Sequence, residues 1–251
     1  MQTRPKSHRE LESMRVGGRM LATVLQTLAS KATAGMSTKE LAFLADVELK
    51  KLGGTPTIMG YQGFPDVICI SVNDAVVHGI PSPGVVLEKG DIVGLDFCVT
   101  YEGMITDSAR SVIIDQPRSA REKDLLAVTQ QALYAGIEVV QDGVRTGDIG
   151  AAIEAILKKN QMGIVRDLVG HGVGHEMHEE PNVPNFGRAR TGTVLHAGMT
   201  IAIEPMVTLG GDSVYVDRDG WTIRTKDGSR AAHFEHTVLV THAGYEILTL
   251  L

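Results

Sequence analysis

The 251-residue sequence predicts an α+β protein in which helices back a mostly antiparallel sheet, built from two related halves. Two observations carry this reading. First, the chain repeats itself weakly. Gly35, Thr38, Glu40 and Leu41 align with Gly143, Thr146, Asp148 and Ile149 at an offset of 108 (143 − 35). "VVLEKGDIVGLDF" and "TVLHAGMTIAIEP" align at the same offset, pairing Gly90 with Gly198 and Asp96 with Glu204. Two separate blocks at one shared offset mark a duplication, with halves of about 8–118 and 119–251 inside a single domain spanning 1–251. A solenoid needs a shorter period and more copies. Second, each half runs from helical periodicity into strand-like segments.

Taken in order, Ser7 and Glu10 have capping-box spacing. Leu11, Met14, Leu21, Leu25 and Leu28 follow at helical intervals, predicting a helix over 8–30. Residues 38–52 and 146–160 are matching helices, each with a threonine near its start as candidate N-cap. Residues 121–141 are the second-half counterpart of the first helix. Strands are expected at 66–72, 92–100 and 104–114, then at 200–208, 213–217, 221–225 and 231–241. Asp219-Gly220 marks a turn between two of them.

Composition narrows the function classes. A net charge of −6 without a basic stripe argues against nucleic-acid recognition. No apolar run approaches the roughly 18 residues a membrane helix needs. The charged start, "MQTRPKSHRELESMR", is not followed by an apolar leader segment, and no secretion signal is expected. Two cysteines, Cys69 and Cys98, make no disulfide framework and fit the reducing cytoplasm.

The chemistry is expected from carboxylates in apolar strands. Asp96 interrupts "IVGLDFCV", and Asp107 lies eleven residues on, past a turn at Glu102-Gly103. In a hairpin the two approach one another. Read alone, they are as well explained as one strand acid and one turn acid, both solvated. However, acids are depleted in strands, and a carboxylate in an apolar strand needs a partner. The duplication supplies more: Glu204 takes the place of Asp96, and Glu235 lies in the next long strand as Asp107 does. Four converging acids cannot all stay ionised without cations, and a pair of divalent metals is the economical answer. "GHGVGHEMHEEP", residues 170–181, contains His171, His175 and His178 without the H-E-x-x-H spacing of helical zinc proteases. Its three glycines oppose a helix.

Together these blocks resemble the type I methionine aminopeptidases, of the pita-bread fold shared with aminopeptidase P, prolidase and creatinase. "SHRELESMRVGGRM", "YQGFPDVICISVNDAVVHGIP", "GHGVGHEMHEEPNVPNFG" and "FEHTVLVT" carry the likeness over nearly the whole chain. The resemblance implies a curved sheet and removal of the initiator methionine from nascent polypeptides whose second residue is small, by a hydroxide that two divalent ions activate. It implies Asp96, Asp107, His171, Glu204 and Glu235 as ligands of those ions, which are Co, Mn, Fe or Zn. Asp107 and Glu235 would bridge them. Glu204 would also shuttle the proton, His178 would hydrogen-bond the carbonyl oxygen, and His78 would contact the scissile amide. Tyr61, Phe64, Cys69, Met177 and Trp221 would form the methionine pocket, with His78 and His178 at its edge. Plain core packing is the competing reading for Cys69 and Met177. Ile58 and Met177 stand where many bacterial relatives carry Cys and Phe. A monovalent cation, Na or K, at the carbonyls of Asn73, Ala75 and Ala231 follows from family analogy, as do a monomer and a transient association with the ribosome. His175 and Glu176 are read as structural or solvated, and Glu179 and Glu180 as groups that fix the loop. His8, His196, His233, His236 and His242 have no matched role, and Cys98 is read as a buried strand residue. The alternatives are an Xaa-Pro aminopeptidase or dipeptidase of the same fold, and a metal-free binding module.

Overall fold

Each helix begins where a side chain satisfies its first free backbone N–H groups. The computed structural model describes residues 3–251. In it α1 (His8–Lys31), α2 (Thr38–Leu52) and α3 (Ala120–Glu138) open with Ser7, Ser37 and Ser119, each in a capping box with Glu10, Glu40 and Glu122. α4 (Thr146–Lys159) follows Arg145, whose N–H donates to the Asp148 carboxylate at 3.0 Å. The threonines expected as caps of α2 and α4 therefore lie one residue inside their helices. Ser37 wins because Glu40 stands three residues on and reciprocates, whereas Thr38 has Leu41 at that spacing. The Thr38 hydroxyl instead donates to the Ser82 carbonyl and accepts from the Ser82 N–H.

The main sheet is antiparallel throughout. Its order is Thr55–Pro56, Ile92–Tyr101, Met104–Ile113, Glu235–Thr241, Thr200–Ile203, Gly170–Gly172 and Glu179–Val183, with Cys69–Val72 and Gly244–Ile247 as side branches. The two halves meet at its centre, where Glu235 pairs with Ala109 and His236 with Ser108. Alternation along the strands sorts the faces. Leu95, Phe97 and Val99 pack on Leu21, Leu28 and Leu41 of the first helix pair. Ile201, Ile203, Val238 and Val240 pack on Leu133, Ile149 and Ile153 of the second. Asp96, Cys98 and Glu235 consequently face away from the helices.

Two expected strands are each divided in two. Residues 200–208 form Thr200–Ile203 and Met206–Thr208, separated at Glu204-Pro205, where proline has no N–H for the ladder. Residues 231–241 form Ala231–His233 and Glu235–Thr241. The detached pieces pair with each other, Met206 opposite His233, in a small sheet completed by Gly163–Ile164. The strand expected from residue 66 starts at Cys69, and α3 stops at Glu138 rather than 141. Contacts also recur at the offset of 108. Ser37 bridges Val86 as Arg145 bridges Val194, and the Gly35 N–H donates to Leu87 as the Gly143 N–H donates to Leu195.

Candidate metal centre

The hairpin Ile92–Tyr101/Met104–Ile113 sets Cys98 opposite Asp107 and Asp96 opposite Ala109. Glu235 lies across from Ala109 on the other side. Three acids from distant parts of the chain thus reach one face, over rungs two residues apart. Glu204 joins them from the break after Thr200–Ile203, and His171 from the middle of the short strand Gly170–Gly172. Two triads result, Asp96–Cys98–Asp107 and Asp107–His171–Glu235, and in each the candidate ligand atoms lie within 4.8 Å of one another. Asp107 belongs to both.

The strand bearing His171 is possible because its neighbours press close. A Cβ at Gly170 would collide with the Ala202 carbonyl, and Gly174 turns the chain at φ 144°. "GHGVGHEMHEEP" is therefore the start of a hairpin, with Gly172 opposite Glu179. Glu179 is fully buried against the Lys6 ammonium at 2.8 Å and accepts the N–H groups of His175 at 2.6 Å and Glu176 at 3.2 Å. His175 meets Glu10 at 2.8 Å, and Glu176 is exposed. His178 projects from the tip. Its Nδ1 lies 3.2 Å from the Tyr61 hydroxyl, whose oxygen accepts from Gln62.

The electrostatics of the cluster are those of a cation site. Burial and the neighbouring carboxylates push Asp96, Glu204 and Glu235 well above the ordinary carboxyl range. Burial raises Asp107 to about 6, against hydrogen bonds from Cys98 and the Ser108 N–H. His171 is held down at about 3 by burial and by His178. It is thus a neutral imidazole, and its Nδ1 donates to the Gly172 carbonyl at 2.9 Å. The lone pair on Nε2 then faces Glu204 Oε1 at 3.3 Å, a pair that needs a proton or a cation between its atoms. Asp107 Oδ1 and Glu235 Oε1 are buried without any hydrogen-bond partner. Orphaned carboxylate oxygens beside an imidazole lone pair fit divalent cations.

The acids line a cavity of about 170 Å³, whose other walls are Ile58, Tyr61, Met177 and Trp221, with His78 and His178 at its border. His78 occupies the left-handed region at φ 58°, and burial, with the His178 charge, holds it down at about 4. Phe64 and Cys69 stand one layer behind this lining. Phe64 packs edge-on to Trp221 with centroids 5.1 Å apart, and Cys69 is wholly buried opposite Asp96. Two titratable lining residues lay outside the sequence expectation. Cys98 is buried but faces the acids, and His233 places Nε2 3.6 Å from Glu204 and 4.0 Å from Glu235 without a hydrogen bond. Both had a signal in the period of two: Cys98 follows Asp96, and His233 precedes Glu235, by two residues. Asn73 and Ala231 are joined by the Ala231 N–H, which donates to the Asn73 carbonyl at 2.9 Å.

Comparison with known proteins agrees with this geometry. The model of metallopeptidase family M24 matches residues 12–242. Methionine aminopeptidase 1 of Bacillus subtilis (strain 168) is 42% identical over 244 residues, covering 97% of this chain and 98% of that one. The crystal structure of methionine aminopeptidase from Thermotoga maritima superposes with a TM-score of 0.98 at 41% identity, covering 100% of both chains. Prolidase from Pyrococcus furiosus shares the fold, with a TM-score of 0.78 at 22% identity over 98% of this chain and 65% of that one. With its pita-bread sheet, its acid cluster and a match over nearly its whole length, the chain belongs to metallopeptidase family M24.

Proposed function

We propose that the chain removes N-terminal methionine from peptides and new proteins, preferentially when the second residue is small. The observation that carries this reading is a pocket in which apolar and aromatic side chains stand directly against a buried acid cluster. Ile58, Tyr61, Met177 and Trp221 offer an apolar wall for one unbranched side chain. The acids attract the substrate's free α-amine, which restricts the reaction to chain ends. The likeness to methionine aminopeptidases at 42% identity supports it, and the prolidase likeness speaks only for the fold.

Asp96, Asp107, His171, Glu204 and Glu235 would hold two divalent ions, with Asp107 and Glu235 shared between them. Such ions supply Lewis-acid polarisation of the scissile carbonyl and lower the pKa of water. The protein's own groups do the rest. Glu204 takes the proton of the attacking water and passes it to the leaving amide nitrogen. Gln62 donates to the Tyr61 oxygen, which turns the Tyr61 O–H toward His178 Nδ1. His178 then carries its proton on Nε2 and donates it to the carbonyl oxygen as negative charge grows there. His78 contacts the scissile amide. Tyr61, Met177 and Trp221 grip the methionine side chain, backed by Phe64 and Cys69. The same reading places the reaction on nascent chains in the cytoplasm, within one catalytic unit made of two related halves. It keeps a Na or K site at the carbonyls of Asn73, Ala75 and Ala231.

The test is a peptide assay on protein loaded with Mn or Co. Methionine is expected to be released from Met-Ala-Ser while Ala-Pro peptides stay intact. The reverse result would establish the Xaa-Pro peptidase, and no turnover of either the binding module.

A further inference from the structure

The helix side of the sheet holds a second cavity, of about 290 Å³, between α1, α3 and the last residues of the chain. It shares its floor with the metal centre. Side chains alternate along a strand, so Ser108, Arg110 and His236 line this cavity where Asp107 and Glu235 face the other way. The walls divide by chemistry. Leu25, Phe234 and Leu250 form an apolar side, and Gln26, Gln130 and Tyr134 form a polar one.

The charge is unbalanced. Arg110 is the one cationic side chain among the lining residues described, and among the described residues no carboxylate lies within 4.0 Å of its guanidinium. Its Nη1 donates to the neutral Gln26 Oε1 at 2.7 Å. Its Nε is buried and has no acceptor. The His236 Nδ1 meets the Thr249 hydroxyl at 2.9 Å. A half-buried guanidinium ordinarily finds a counter-ion, because its desolvation is otherwise uncompensated.

We propose that this cavity binds a small amphiphilic monocarboxylate. The carboxylate takes the place of the missing counter-ion on Arg110, in the paired geometry that guanidinium and carboxylate share. An unbranched apolar tail lies along Leu25, Phe234 and Leu250. The volume is near the lower end of the range for small-ligand sites, which sets the length of that tail. One arginine without a second cation matches a single negative charge better than a phosphate dianion.

Calorimetric titration of the metal-loaded full chain with octanoate tests this. Saturable binding is expected, with octanamide failing to bind. Arg110→Met should weaken octanoate at least tenfold. Gln26→Glu places a carboxylate on Arg110 from within and should abolish binding, and far-UV circular dichroism verifies that both variants are folded. Octanoate binding that is insensitive to both substitutions would mean occupancy of the metal centre and would overturn the proposal. So would equal binding of octanamide. A pentapeptide with a free C-terminal leucine offers the same group from a protein, and its binding in preference to octanoate would replace the small molecule with a chain terminus.

Discussion

At the residue scale, the centre depends on acids that are tolerable only in company. Asp107 Oδ1 and Glu235 Oε1 are buried with no protein partner, and Glu204 presents an oxygen to an imidazole lone pair. Glu204→Gln removes the proposed proton carrier while keeping the side chain's size. Turnover of Met-Ala-Ser is expected to fall at least a hundredfold, the usual scale for a general acid/base, with unchanged circular dichroism. Retained turnover would take Glu204 out of that role. Lys6 is the other decisive single residue. Its ammonium and the Glu179 carboxylate are both fully buried at 2.8 Å, and Glu179 in turn holds the N–H groups at the root of the His178 loop. Lys6→Met strands a buried carboxylate, which costs about 3–5 kcal/mol. Chemical denaturation measures the loss, and a midpoint within error of the parent would show that the pair is not coupled to folding.

At the element scale, α1 is shaped by two glycines that propensity alone would count against it. Gly17 and Gly18 are buried in mid-helix. A Cβ at Gly18 would strike the Leu248 carbonyl, and one at Gly17 would stand 3.3 Å from the Tyr101 Cβ. The helix pays the glycine penalty to let the C-terminal segment lie against it. Gly18→Ala is accordingly expected to destabilise by about 1–3 kcal/mol, the scale of overpacking, although alanine is the better helix former. A thermal melt that rises rather than falls would contradict the close approach. The same logic explains the sequence reading of the strands. The hairpin of Asp96 and Asp107 was legible because each strand runs for ten residues and the Glu102-Gly103 turn joins them. Gly170–Gly172 was not, because three residues carry no period and glycine reads as loop.

At the scale of the whole molecule, the acid cluster opposes folding unless cations hold it. The ordinary Asp pKa is about 3.8–3.9, and Asp107 is raised to about 6 by burial. A raised carboxyl favours the folded state fully below its unfolded value and loses that contribution as pH rises through its folded one. Asp96, Glu204 and Glu235 shift in the same direction. Chelation is therefore expected to lower the melting temperature more at pH 7 than at pH 4, with the gap between loaded and stripped protein widening across that interval. Calorimetry of both forms checks it, and a gap independent of pH would rule out the cluster as its source. The sequence by itself determined the α+β class, the four helices, the 108-residue internal echo and the acids at Asp96, Asp107, Glu204 and Glu235, because these rest on local periodicity and on residue chemistry. The tertiary structure decided the rest. It brought His233 and Cys98 to the acids, set Phe64 and Cys69 behind the cavity wall, and divided two long strands between sheets. The pairing of Glu235 with Ala109 joins strands more than a hundred residues apart, and no local pattern encodes it.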